Sequence, residues 1–169
     1  MIRLEDIKND FGSGILAEKD CQSFFTNVRE STREQDITEH WDFCGNYEDH
    51  KDIKVDVKAI KKVNREDAYP DDSVHFVEIK NVMGNDGWLY GIADYIAFEL
   101  RHCFMLVDRP RLVNKILNTP IPEKIHVSER SVNKKTFTYY SRKGRNDLFI
   151  MVPTEFLEDD NNIIINKFK

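Results

Sequence analysis

Apolar residues recur at helical spacing through ILAEKDCQSFFTNVR, residues 15–29, where Ile15, Leu16, Phe24, Phe25 and Val28 follow Gly12 and Gly14. The spacing predicts an amphipathic helix. The polar run ESTREQDIT, residues 30–38, reads as a loop. From His40 the period shortens to two. A first strand is expected around His40 to Tyr47, carrying Trp41, Phe43 and Tyr47. The second, Ile53 to Ile60, alternates strictly: Ile53, Val55 and Val57 face one way, and Lys54, Asp56 and Lys58 the other. Glu48-Asp49-His50-Lys51 joins the two as a hairpin turn. Val74 to Lys80 is the third strand, after the polar loop from Asn64 to Ser73.

Farther along, GNDGWLYG (residues 84–91) reads as a glycine-rich turn carrying Trp88 and Tyr90. Asp94–Leu100 and Cys103–Val107 read as two more strands, and Arg111 to Leu117 as a short helix ended near Asn118 and Pro120. The tail holds a second hairpin, Thr136–Tyr140 with Leu148–Val152, and a short helix from Pro153 to Glu158. This order points to an α/β (α+β) domain around a mixed central sheet flanked by helices, with a C-terminal β-hairpin. One domain is expected over residues 1–169, with a core at about 15–117 and a basic hairpin extension at about 123–160.

Composition narrows the class. Hydrophobic residues make up 40% of the 169-residue chain, enough for a core, and charged residues 33%. No apolar run is long enough to span a bilayer, and the N-terminus lacks the apolar stretch of a signal peptide, so a cytoplasmic protein with no membrane partner is expected. Three scattered cysteines, Cys21, Cys44 and Cys103, form no CxxC pair and read as small buried hydrophobes. His75 and His126 stand alone and are assigned to no metal. High Asn, Lys and Ile content fits an AT-rich genome such as a phage's.

Charge changes the picture more. The net charge of −5 argues against a nucleic-acid partner, but its distribution does not. Residues 1–50 carry twelve acids against five bases, whereas residues 101–145 carry eleven Lys or Arg against three acids. Lys134, Lys135, Arg142, Lys143 and Arg145 crowd around Phe137, Tyr139 and Tyr140, a mixture suited to phosphates and unpaired bases. They read as a nucleic-acid-binding segment, or, more plainly, as a solubilising face.

The candidate chemistry lies on the first two strands. Asp56 and Lys58 share a strand face. Antiparallel pairing brings Asp42 beside Asp56, and two carboxylates at that range require a proton or a cation between them. Hard oxygen ligands suit Mg²⁺ or Mn²⁺. The neighbouring lysine supplies positive charge for a developing phosphorane. Both variants Asp56→Asn and Lys58→Ala are expected to fold, because this face reads as open and polar.

Trp41-Asp42 followed by Asp56-Val57-Lys58, with VDVKAIKK, VHFVEIKNVMG and GWLYGIADYIAFE, resembles the PD-(D/E)XK nuclease superfamily and its small phage and bacterial members. The resemblance covers roughly residues 15 to 117. Trp41 stands where the superfamily has Pro, and Asp56 where Glu is commoner. It implies a restriction-endonuclease-like core and hydrolysis of DNA phosphodiesters. It further implies Asp42 and Asp56 as metal ligands, Lys58 for water activation or charge stabilisation, and Glu18 as a supporting helix acid. Glu78-Ile79-Lys80 is a competing E-x-K, ranked second because 14 residues from Asp42 to Asp56 fit one hairpin; Glu78 and Lys80 are accessory candidates.

Read without the resemblance, Asp42, Asp56 and Lys58 are a solvated salt-bridge ladder. A catalytically silent protein of the same fold, binding nucleic acid or a protein partner in phage–host conflict, is the alternative function. RNA stays open beside DNA, and a homodimer is compatible with either reading.

Overall fold

The structure is a computed structural model. It describes the backbone of residues 4–64, 66–121, 124–127 and 135–168, with side chains over 13–64, 66–121 and 135–168. It is a mixed α+β fold with two sheets. The first has six strands: β1 (Thr26–Glu30), β2 (Phe43–Tyr47), β3 (His50–Lys58), β5 (Tyr95–Glu99), β6 (Cys103–Asp108) and β10 (Ile163–Asn166), in the order β1-β2-β3-β5-β6-β10. All neighbours are antiparallel except β3 and β5, which run parallel. The second sheet has the order β4-β9-β8-β7, from β4 (Val74–Lys80), β9 (Leu148–Pro153), β8 (Thr138–Arg142) and β7 (Lys124–Val127).

Alternation along the central strands fixes the layers. Val55 and Val57 of β3, Ala97 of β5, and Phe104 and Leu106 of β6 face α1 (Leu4–Gln22), which contributes Ala17 and Cys21. The intervening residues Ile96, Phe98, Met105 and Val107 face the opposite way. There they pack on Val77, Ile150 and Val152 of the second sheet, Leu112 and Ile116 of α3 (Arg109–Leu117), and Leu157 of α4 (Thr154–Leu157). The first sheet is therefore covered on both faces, and β5 and β6 read as near-continuous apolar runs for that reason, whereas β3 carries Lys54, Asp56 and Lys58 into the covered side.

Several expectations are corrected. The helix expected from Ile15 to Arg29 ends at Gln22 and begins earlier. Ile15 and Leu16 are exposed; Ala17 and Cys21, one helical turn apart, are the buried pair. Phe24 and Phe25 lie beyond the helix, and Val28 falls on β1. The loop expected at 30–38 holds a helix, α2 (Arg33–Glu39), started by a capping box between Thr32 and Gln35. Val74–Lys80 does not join the hairpin β2–β3 in one sheet; it pairs with β9, and β5 takes the place beside β3. The C-terminal hairpin is no appendage, since Ile150 and Val152 share a core with Ile96 and Phe98. Among the described residues, no helix is long and apolar enough to cross a membrane.

Candidate functional site

The β2–β3 ladder runs from Tyr47↔His50 to Phe43↔Val55, and beyond that pair the strands part. The Asp42 N–H still donates to the Val55 carbonyl at 2.8 Å. One step on, the Val57 N–H donates to Asp42 Oδ2 at 2.6 Å, so a carboxylate replaces the backbone where the strands diverge. This anchors Asp42 beside β3. Asp56 and Lys58 lie on the face where their β5 partners are Ile96 and Phe98, both fully buried. Polar side chains thus occupy positions that the packing reserves for apolar ones.

The geometry joins the candidates. Lys58 Nζ lies 2.8 Å from Asp56 Oδ1, and over the Trp88 ring at 4.9 Å from its centroid. Asp56 is only 3% exposed, and its Oδ2 has no hydrogen-bond partner. The Asp42 and Asp56 carboxyls interact with each other. One proton between the two acids satisfies that orphan when no cation does.

Burial, then the charge on Asp56, pushes the Asp42 carboxyl up to about 7, against the opposing effects of Lys58 and the Val57 N–H. Burial also raises Asp56, with Lys58 opposing. Glu18, on α1, is pushed up to about 7 by burial and then by Asp42. Burial works against the Lys58 ammonium, but Asp56 and Asp42 outweigh it and hold the amine above its ordinary value. Lys58 is therefore charged at any pH where the carboxyls titrate.

Glu18 and Asp42 line one cleft of about 440 Å³, with Thr32, Arg33 and Asp36 on its wall. Glu18 and Asp36 thus add their carboxylates to Asp42 at the cleft. Among the described residues, no three His, Cys, Asp or Glu side chains converge closely enough to hold a metal together. The ligand set on offer is the Asp42–Asp56 pair. The open polar face expected around Asp56 is corrected to a buried one, so neither Asp56→Asn nor Lys58→Ala is neutral to folding.

Glu78 lies near enough to Lys58 to favour its charged form, and its Oε1 accepts from the Trp88 N–H at 3.4 Å. Lys80 is exposed at the strand end. The E-x-K of β4 thus contributes a neighbour to the centre rather than a second centre. Trp88 went unassigned by sequence reasoning as the platform under Lys58; nothing local marks that contact. Its turn is set by Gly87, where an added Cβ would stand 2.5 Å from the Glu78 carbonyl oxygen. Gly87→Ala must separate β4 from this turn and is expected to cost about 1–3 kcal/mol. Thermal unfolding should record a Tm lower by several degrees; an unchanged Tm would mean that the turn is not clamped.

The basic hairpin is partly neutralised from within. Arg142 forms an ion pair with Asp147, which is 2% exposed, and lies over the Phe149 ring at 5.6 Å. Its guanidinium is ion-paired to that buried acid, while the side chain stays 34% exposed. Tyr140 is buried, with its hydroxyl donating to the Lys135 carbonyl, and Tyr139 is half-buried where it packs against the core. Lys135 and Lys143 are exposed, Arg145 is half-buried, and Lys134 lies outside the described residues.

Comparison of the chain with protein-family models, with curated proteins and with solved structures finds no match.

Proposed function

We propose that this protein is a divalent-metal-dependent nuclease of restriction-endonuclease-like architecture that hydrolyses phosphodiester bonds in DNA. One observation carries the reading: Asp56 keeps a buried Oδ2 without a partner while its other oxygen holds the Lys58 ammonium, and the Asp42 carboxyl interacts with it. Two anionic oxygens so placed fit a hard cation, and Asp42 and Asp56 would hold it. A bound Mg²⁺ or Mn²⁺ supplies Lewis acidity at the phosphoryl oxygens and an acidified water.

The chain's own groups have defined tasks. Asp42, fixed by the Val57 N–H, sets the carboxylate position within the fork. Lys58 neutralises Asp56 and places a positive charge where a pentavalent phosphorus gathers negative charge. Glu18, with a pKa of about 7, can accept a proton at the cleft near neutral pH.

A second reading has its own support. Lys58 already neutralises Asp56 at 2.8 Å, as expected of a catalytically silent protein of this fold that binds nucleic acid or a protein partner. A panel of duplex, single-stranded and branched DNA, and of RNA, incubated with Mg²⁺ or Mn²⁺, separates the two. Cleavage lost on chelation supports the nuclease. No cleavage on any substrate, with no heat of Mg²⁺ or Mn²⁺ binding in calorimetry, refutes it.

A further inference from the structure

Two cations converge on one aromatic ring beside the candidate centre. Arg29 of β1 pairs with Cys44 of β2, and Cys44 pairs with Lys54 of β3. The three residues form a row across three strands, so Arg29 and Lys54 leave the same sheet face with their backbones about 10 Å apart. Both head groups converge on one ring. Arg29 Cζ lies 5.1 Å and Lys54 Nζ 5.2 Å from the Trp41 ring centroid. That ring is a fixed platform: Trp41 is fully buried, and its Nε1–H donates to Glu39 Oε2 at 2.7 Å.

Five described cations lie against acids: Lys58 on Asp56, Arg142 on Asp147, Lys167 on Glu99, Arg111 on Asp159 and Lys19 on Glu30. Among the described residues, neither Arg29 nor Lys54 has an acidic side chain within ion-pairing distance. Two like charges brought to one ring repel, and an anion between or over them relieves that repulsion. The position matters as much as the charge. Trp41 directly precedes Asp42, and Lys54 stands two residues before Asp56 on the same strand face, about 7 Å along it.

We propose that Arg29 and Lys54, seated on Trp41, form a phosphate clamp that holds a backbone phosphate of the nucleic acid next to the one at the Asp42–Asp56 centre. The identity of the anion as nucleic-acid backbone rests on the nuclease reading; the clamp itself rests on the geometry of the three side chains. Arg supplies a forked donor and Lys a point charge, a pairing suited to phosphate oxygens. Full burial of Trp41 leaves no ring face for a base, so the clamp recognises backbone and carries no sequence preference.

The test is binding of a fluorescein-labelled single-stranded oligonucleotide, followed by anisotropy in EDTA so that no cleavage intervenes. Salt is varied from about 50 to 200 mM, a range over which phosphate contacts dominate the response. Arg29→Gln/Lys54→Gln should weaken binding about tenfold and flatten the log–log salt slope by about 0.7–0.9, the value of one phosphate contact. The Trp41 indole N–H resonance should shift when the oligonucleotide is added to the wild type, and stay in place in the variant. If the double variant does not fold, Arg29→Gln alone serves, because Arg29 is exposed on an edge strand. Wild-type binding with no movement of the Trp41 resonance overturns the clamp, as does an unchanged slope. A slope that falls only in Lys135→Gln/Lys143→Gln also overturns it, placing the nucleic acid on the hairpin. Failure of the wild type to bind any oligonucleotide overturns it too. Clamped binding without cleavage by the metal-loaded protein removes the nuclease reading alone, and cleavage with an unaffected double variant removes the clamp alone.

Discussion

Asp56→Asn should lower metal-dependent kcat/KM on the order of 10³-fold, because it removes a metal oxygen and the partner of Lys58 together. Lys58→Ala should lose activity to a similar degree, but it carries a second cost. Asp56 is then left buried without its ammonium, a defect worth about 3 kcal/mol. Rate and unfolding measurements on both variants separate the chemistry from the stability. Wild-type turnover by folded Asp56→Asn would move the centre elsewhere, with Glu78 the first residue to examine.

The metal-free protein should lose about 2–3 kcal/mol of stability between pH 5 and pH 7.5. The sign follows from the direction of the shifts. Asp42 rises from 3.8 to about 7 on folding, and Glu18 from 4.5 to about 7. Folded carboxyls that hold protons more tightly than unfolded ones stabilise the fold at low pH. That contribution is complete below the unfolded values and is lost as the pH climbs through the folded ones. That size is the share of Asp42; Asp56, also raised by burial, acts in the same direction, and Glu18 stands at the open cleft, where screening discounts its share. Millimolar Mg²⁺ should flatten the profile above pH 7 by replacing the lost proton with a cation. Denaturant melts across the range measure both effects. A profile unchanged by Mg²⁺ and Mn²⁺ would show that the paired acids hold a proton and nothing else.

The hairpin and its alternation were legible because they are local. Residues 43–55 pair with each other, and the period of two carried on along the same strand places Asp56 and Lys58 on one face whatever lies elsewhere. Asp42 could be set opposite Asp56 by counting along the same hairpin. What covers that face was not legible. β4 and β9 pair across some seventy residues, and nothing in VHFVEIK or LFIMVP states that the two strands leave the first sheet to form another. The burial of Asp56 and the Trp88 platform follow from that second layer, so both escaped. The first helix was misplaced because spacing treats every apolar residue alike, and the long apolar Leu16 points to solvent while the small Ala17 is buried. α2 has no buried residue, so no apolar period exists to find; the Thr32-x-x-Gln35 capping signal was the available clue. Arg142 was counted as surface charge because a single buried acid, Asp147, is invisible in a tally of bases.

In the described fold, β4 has one ladder neighbour, β9, which starts at Leu148. β4 carries Glu78 and braces the turn that presents Trp88 to Lys58. On a ribosome, therefore, the carboxylates and the lysine emerge about ninety residues ahead of the strand that steadies their platform. Residues 42–58 can form their hairpin long before the lysine's seat is secured. A nascent chain makes that whole interval with the seat unbraced, and a frameshift just before Leu148 that spares every charged residue of the centre would still leave the lysine without a firm support.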